Sequence, residues 1–188
     1  MNAVMALQEY HRIRLARAAE AFRKRGFRAD VFGTGAEAAE FFFAHLAPDE
    51  SVGYGGSETT TQLGIKERLR SGTQSFLDRA KVGHSYAEQL EIRRETLSVD
   101  VFIASSNAVS MEGALVNIDG DGNRTAAMSL GPGRVVLFIG RNKVCDDLER
   151  AIYRARNVAA PALAIQLGKA TPCAKTGRCH DCAAPDRI

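Results

Sequence analysis

Two short runs constrain the fold more than anything else in the chain. Val101-Phe102-Ile103-Ala104 and Val135-Val136-Leu137-Phe138-Ile139 are apolar at every position. A strand with one wet face alternates apolar and polar side chains. A strand that is apolar throughout needs cover on both faces, as in a parallel sheet held between helical layers. The segments before Ala104 alternate between helical and strand-like patterns. Leu7, Tyr10, Leu15, Ala18, Ala19 and Phe22 recur at helical spacing, and Gly26 is suited to end that helix. Phe27, Ala29 and Val31 alternate as a short strand does. Thr34 and Glu37 form a capping box that opens a helix through Phe41, Phe42, Phe43 and Leu46. Ser51 to Tyr54 reads as a strand, Glu58 to Arg70 as a helix, Gln74 to Leu77 as a strand and Ser85 to Leu97 as a helix. A last helix from about Cys145 to Asn157 is expected to end before Pro161. The fold class is therefore α/β, a three-layer and mostly parallel sheet. A β-hairpin is expected as an insertion between Ala114 and Ala127, turning on Asp119-Gly120-Asp121-Gly122. We read residues 1–188 as a single domain, with an N-terminal helix over 1–26 and a cysteine-containing tail over 169–188.

Composition narrows the partners. The chain of 188 residues is 45% hydrophobic and 25% charged, enough to bury a core of its own. A net charge of +3 is too small to imply nucleic acid. Much of the basic excess lies between Arg12 and Arg28, which reads either as a solvated helix face or as a docking surface. No apolar run approaches the roughly 20 residues of a membrane span. Glu9, Tyr10, His11 and Arg12 follow Leu7 closely, so the N-terminus lacks a continuous apolar signal core. These features point to a soluble cytoplasmic protein.

Three constellations carry chemistry. The first is Gly53-Tyr54-Gly55-Gly56-Ser57-Glu58-Thr59-Thr60, between a strand and a helix. Glycines let backbone N–H groups approach a ligand, and Ser57 and Thr59 add hydroxyls. An anion such as a phosphate or carboxylate is the functional reading, and tight packing is the bland one. The pattern is neither a Walker loop nor G-x-G-x-x-G. The second constellation is Asn107, Ser110, Glu112, Asn117, Asn123 and Arg124, with Asn142 and Lys143 following the apolar strand. Glu112 beside Gly113 reads as a general base or ligand anchor, or equally as a residue that closes a turn. Ligands gather beyond the carboxyl ends of strands in open α/β sheets, where Asn142 and Lys143 would lie. The third is Cys173-x5-Cys179-x2-Cys182 with His180 inside it. Short thiolate spacing suits zinc or an iron–sulfur cluster, but three cysteines fall one short of the usual four. His180, Cys145 or a partner's cysteine could complete the set, and three unliganded thiols are the alternative. His11, His45 and His84 stand in helix-like contexts and read as structural.

The block from Ser105 to Val144, with Arg154-Ala155-Arg156 and Thr171-Pro172-Cys173-Ala174-Lys175-Thr176-Gly177-Arg178-Cys179-His180-Asp181-Cys182, resembles the LUD domain family. The likeness runs from about Ala18 to Ile188 and is nearest the lactate-utilisation protein C or YkgG-like branch. It implies a fold similar to the ribose-5-phosphate isomerase, glucosamine-phosphate deaminase and CoA-transferase group. It also implies an accessory role in iron–sulfur-dependent oxidation of L-lactate to pyruvate, beside separate cluster-carrying subunits. No ferredoxin-type Cys-x2-Cys-x2-Cys run is present, which fits an accessory member. The ligand expected is a small anionic metabolite, and a homodimer is plausible by analogy. Alternatives are a free-standing enzyme on a sugar-phosphate or CoA-type substrate, and a metal-binding interaction module.

Overall fold

The computed structural model describes residues 2–78 and 84–188. The chain divides into two compact units that exchange the backbone several times. One, the parallel-sheet unit, comprises Thr34–Ser105 and Asp121–Phe138; the other, the terminal unit, comprises Met1–Gly33, Ser106–Gly120 and Ile139–Ile188.

In the parallel-sheet unit, β1 (Val52–Tyr54), β2 (Phe76–Leu77), β3 (Val101–Ala104) and β6 (Arg134–Leu137) form a wholly parallel sheet in the order β2-β1-β3-β6. Four helices of this unit flank the strands: α2 (Gly35–Ala44), α4 (Ile65–Ser71), α5 (Tyr86–Glu95) and α6 (Asn123–Ser129), with the short α3 (Glu58–Gln62) after β1. The fully buried β3 shows why both faces are apolar. Val101 and Ile103 join one core cluster with Ala39 and Phe42 of α2 and Ile65 and Leu69 of α4. Phe102 and Ala104 join a second with Val99 and Ala127 of α6. The three-layer expectation holds within this unit. The Thr34–Glu37 capping box is present, and Ser85–Glu88 forms another. The three adjacent phenylalanines take different roles. Phe42 is buried edge-on to Phe138, with ring centroids 5.6 Å apart. Phe43 carries the Arg68 guanidinium over its ring, and Phe41 lies against the His45 ring.

The terminal unit holds a smaller mixed sheet, β5-β4-β7, from β4 (Ala108–Ser110), β5 (Leu115–Val116) and β7 (Val144–Cys145). Helix α1 (Ala3–Lys24) covers it through Leu15, Ala18 and Phe22, while Leu7 and Tyr10 stay more than half exposed. Its basic residues are largely paired, Arg12 with Glu9, Lys24 with Glu20 and Arg14 with Asp146.

Several sequence expectations need correction. Phe27–Val31 is not a strand; Phe27 instead sits edge-on to Phe22, 5.5 Å away. The hairpin turns at Met111–Ala114, where Gly113 takes φ +82 and Ser110 N–H reaches Ala114 C=O. A β-carbon at Gly113 would lie 2.9 Å from the Ala21 carbonyl, so that turn requires glycine. Asp119–Gly122 leads into α6 instead of turning a hairpin. The predicted helix over Glu58–Arg70 is broken at left-handed Gly64 into α3 and α4. Pro161 does not stop the last helix. Helix α7 (Leu148–Arg154) continues through a π turn, Ala155–Ala159, into α8 (Ala160–Gln166), where Pro161 sits in the first turn. The π turn immediately precedes Pro161, at the point where its missing N–H interrupts the i→i−4 ladder.

Candidate functional site

In the parallel-sheet unit, the chain leaves β1 toward β2 on one side and returns to β3 on the other. The carboxyl ends of β1 and β3 therefore form the topological switch point, where α/β sheets open a crevice. Gly55-Gly56-Ser57 leaves β1 there, and Ser105 leaves β3. Arg124, from the first turn of α6, donates from Nη1 to the Ser105 carbonyl at 3.0 Å, which brings a guanidinium to the same edge.

The glycine turn is built on Tyr54, whose importance is not visible in the sequence. Its buried hydroxyl accepts from Ser57 N–H at 2.8 Å and donates to the Ser57 carbonyl at 3.0 Å. Buried Thr60 donates to the same carbonyl at 2.9 Å and lies 3.4 Å from the Tyr54 oxygen. The three glycines serve different needs. A β-carbon at Gly53 would meet Thr96 and Val99 at 3.0–3.1 Å, and one at Gly55 would meet the Phe102 ring at 2.7 Å. Packing therefore demands both. Gly56 takes φ +77, a left-handed conformation costly to any side chain. The Gly55 N–H is used by Ile103 C=O and the Ser57 N–H by Tyr54, while the Gly56 N–H has no partner among the described residues. The Ser57 hydroxyl caps α3 by accepting from Thr60 N–H. Thr59 is half-buried, and Glu58 is exposed with its carboxylate 3.4 Å from Gln62.

The other predicted residues distribute as follows. Asn123 opens α6 and lines a cavity of about 230 Å³ with Tyr86, Arg93 and Asp121. Arg93 pairs with Asp121 at 3.1 Å, yet its Nε is buried without a partner among the described residues. Arg93 and Arg94 are indistinguishable in sequence; the helix phase buries only the first. In the terminal unit, Glu112 is exposed at the hairpin turn, where its carbonyl accepts from Arg25 Nε at 3.0 Å. Asn107 Oδ1 accepts from Ile118 N–H at 2.8 Å, and Asn117 Oδ1 is buried without a partner among the described residues. Arg154 bridges the Asn107 and Asn142 carbonyls, and burial lowers its pKa from the usual arginine value. Lys143 lies half-buried in a 3-10 turn, Arg141–Lys143. Serine 57 and Glu112 thus belong to different units.

The cysteine tail lies in the terminal unit. Cys173, Cys179 and Cys182 line one cavity of about 250 Å³, together with Arg156, His180 and Asp181. All four cysteines of the chain are free and partly accessible. Among the described residues no group of three or more His, Cys, Asp or Glu is arranged to hold a metal ion. Cys145 lies apart from that cavity's lining, and burial raises its thiol pKa, against the opposing pull of Arg154 and Arg14.

An α/β domain with a parallel sheet between helical layers and a glycine turn at its switch point is the class that the fold and site define. The sequence profile of the LUD domain matches residues 15–188, and the chain belongs to the LUD domain family. That family is associated with lactate utilisation proteins. Neither the curated proteins nor the solved structures gave a significant match. Among the described residues, no helix is long and apolar enough to cross a membrane.

Proposed function

We propose that this protein is an accessory protein of L-lactate oxidation to pyruvate, acting beside iron–sulfur partner subunits, and that it binds a small anionic metabolite at the carboxyl ends of β1 and β3. The observation that carries the reading is the family match across residues 15–188. The position of the ligand is supported by the switch-point topology and by three groups at that edge. These are the Gly56 N–H, the Ser57 hydroxyl and the Arg124 guanidinium. Backbone N–H groups and a guanidinium are the donors that recognise carboxylates and phosphates. A ligand that entered the turn more deeply would take the place of the Tyr54 hydroxyl on Ser57 N–H.

Deletion of the gene is expected to stop growth on L-lactate as sole carbon source, with rescue by the wild-type chain. Unimpaired growth after deletion overturns the role. Calorimetry with L-lactate, pyruvate and inorganic phosphate tests the location. Gly56→Val is expected to abolish the heat of whichever probe binds while circular dichroism stays native. Undiminished binding by that variant removes the glycine turn from the proposal.

A further inference from the structure

The cavity in the terminal unit contains an arrangement that anion binding at the sheet does not use, and the inference drawn from it is independent of that reading. Residues 155–159 form a π turn within the α7–α8 helical run. Such turns widen the helix and redirect successive side chains. Here two neighbours on the turn converge on a single cysteine. Asn157 Oδ1 accepts from the Cys179 N–H at 3.3 Å, and Arg156 Nη2 lies 3.9 Å from the Cys179 sulfur. The same sulfur accepts from the Asp181 N–H at 3.4 Å. Asp181 takes φ +52 and is the one non-glycine residue with positive φ among the described residues. It also pairs with Arg156 at 2.7 Å, so the guanidinium is held against the turn. His180 is tied to Thr176 Oγ1 at 2.7 Å. Cys179 and Cys182 are three apart, line the same cavity, and are both free. Strained backbone that survives in a folded protein gathers at functional positions.

We propose that Cys179 and Cys182 are a thiol–disulfide exchange couple, with Cys179, gripped by the π turn, as the attacking sulfur and a low-molecular-weight disulfide as the oxidant. The deprotonated Cys179 sulfur attacks one sulfur of the disulfide RSSR, breaks the S–S bond and expels RS⁻. This leaves Cys179 as a mixed disulfide. Cys182 then loses its proton, attacks the Cys179 sulfur and expels the second RS⁻. The two protons released by the cysteines convert the two RS⁻ to RSH. The pair has lost two electrons, and RSSR has gained them. Arginine beside the sulfur and an N–H donated to it are the features that raise the reactivity of a cysteine of this kind. Arg156 answers in kind: its pKa is raised, first by the Cys179 sulfur and then by Asp181.

The test uses the full chain. Cleavage after Arg178 and Arg187 leaves both cysteines on one peptide, Cys179–Arg187, so their disulfide reads as the loss of two hydrogens. After equilibration in oxidised and reduced glutathione mixtures and alkylation of free thiols, that peptide is expected to oxidise before any other cysteine does. Cys182→Ser is expected to trap glutathione on Cys179, and Cys179→Ser to abolish both products. Because any such pair can oxidise in an unfolded chain, the deciding readout is the rate of Cys179 alkylation by iodoacetamide at neutral pH. It is expected to fall severalfold when the chain is unfolded in urea, which removes the Arg156 and Asp181 N–H contacts to the sulfur, and to fall severalfold in Arg156→Gln with circular dichroism unchanged. Equal Cys179 rates in folded and unfolded chains overturn the proposal. So does a Cys173 disulfide in place of the Cys179–Cys182 bond, or an unchanged rate in Arg156→Gln.

Discussion

Tyr54→Phe removes one oxygen atom from the interior of the parallel-sheet unit, and its cost follows from what that oxygen holds. The Tyr54 hydroxyl is the acceptor for the Ser57 N–H at 2.8 Å and a donor to the Ser57 carbonyl at 3.0 Å. The carbonyl keeps other partners, Thr60 Oγ1 at 2.9 Å and Thr61 Oγ1 at 3.1 Å, so its loss is small. The N–H has no substitute among the described residues. Leaving a buried donor unsatisfied costs about 1–3 kcal/mol. Tyr54 as a whole is 5% exposed and its ring packs the same way in phenylalanine, so no cavity term is added. At roughly 3 °C per kcal/mol for a chain of this length, the melting temperature should fall by about 3–9 °C. Thermal unfolding followed by circular dichroism and by calorimetry measures this, and amide exchange at Ser57 reports the loop directly. A fall below about 1 °C, with Ser57 still protected, would refute the view that the turn is organised by this hydroxyl. A ligand that displaces the hydroxyl should bind Tyr54→Phe no more weakly than wild type, which separates the structural role of the oxygen from recognition.

Three further outcomes follow from the packing and charge. Gly55→Ala should cost about 1–3 kcal/mol, because its β-carbon would approach the Phe102 ring to 2.7 Å and Ala104 to 3.1 Å in a filled core; urea titration checks it. Arg154→Ala should destabilise the terminal unit by about 1–3 kcal/mol, since the Asn107 and Asn142 carbonyls lose a shared donor; limited proteolysis across 139–147 would rise. Asp100 is held below the usual carboxylate value, first by the Ser51 hydroxyl and then by the Ser51 N–H. A depressed folded value contributes stability above the ordinary carboxylate range and loses it as pH falls through the folded value. The acid limb of the unfolding curve should therefore flatten in Asp100→Asn, and an unchanged limb would count against the assignment.

Much of the architecture is legible without coordinates. The doubly apolar Val101–Ala104 run, the Thr34–Glu37 cap and the glycine turn after β1 are local patterns whose physics acts within a few residues. The glycine turn could be located but not explained. That Gly53 and Gly55 answer to Thr96, Val99 and Phe102 depends on residues forty or more positions away, whereas Gly56 answers to its own backbone conformation. The hairpin was displaced for a related reason. Asp119–Gly122 has strong turn chemistry, but Ser110 N–H pairs with Ala114 C=O, and Gly113 must pass within reach of the Ala21 carbonyl on α1.

Amino-acid order alone therefore determines the α/β class, the parallel sheet covered on both faces, the capped start of α2 and membership of the LUD domain family, because periodicity, capping and motif spacing are written into neighbouring residues. Tertiary structure decides which identical-looking residues matter. It buries Arg93 and not Arg94, gives the Tyr54 hydroxyl the centre of the turn, and turns Arg156 and Asn157 onto Cys179. Those outcomes depend on helix phase, on a π turn and on contacts between distant segments, and none of these is set by any single stretch of chain.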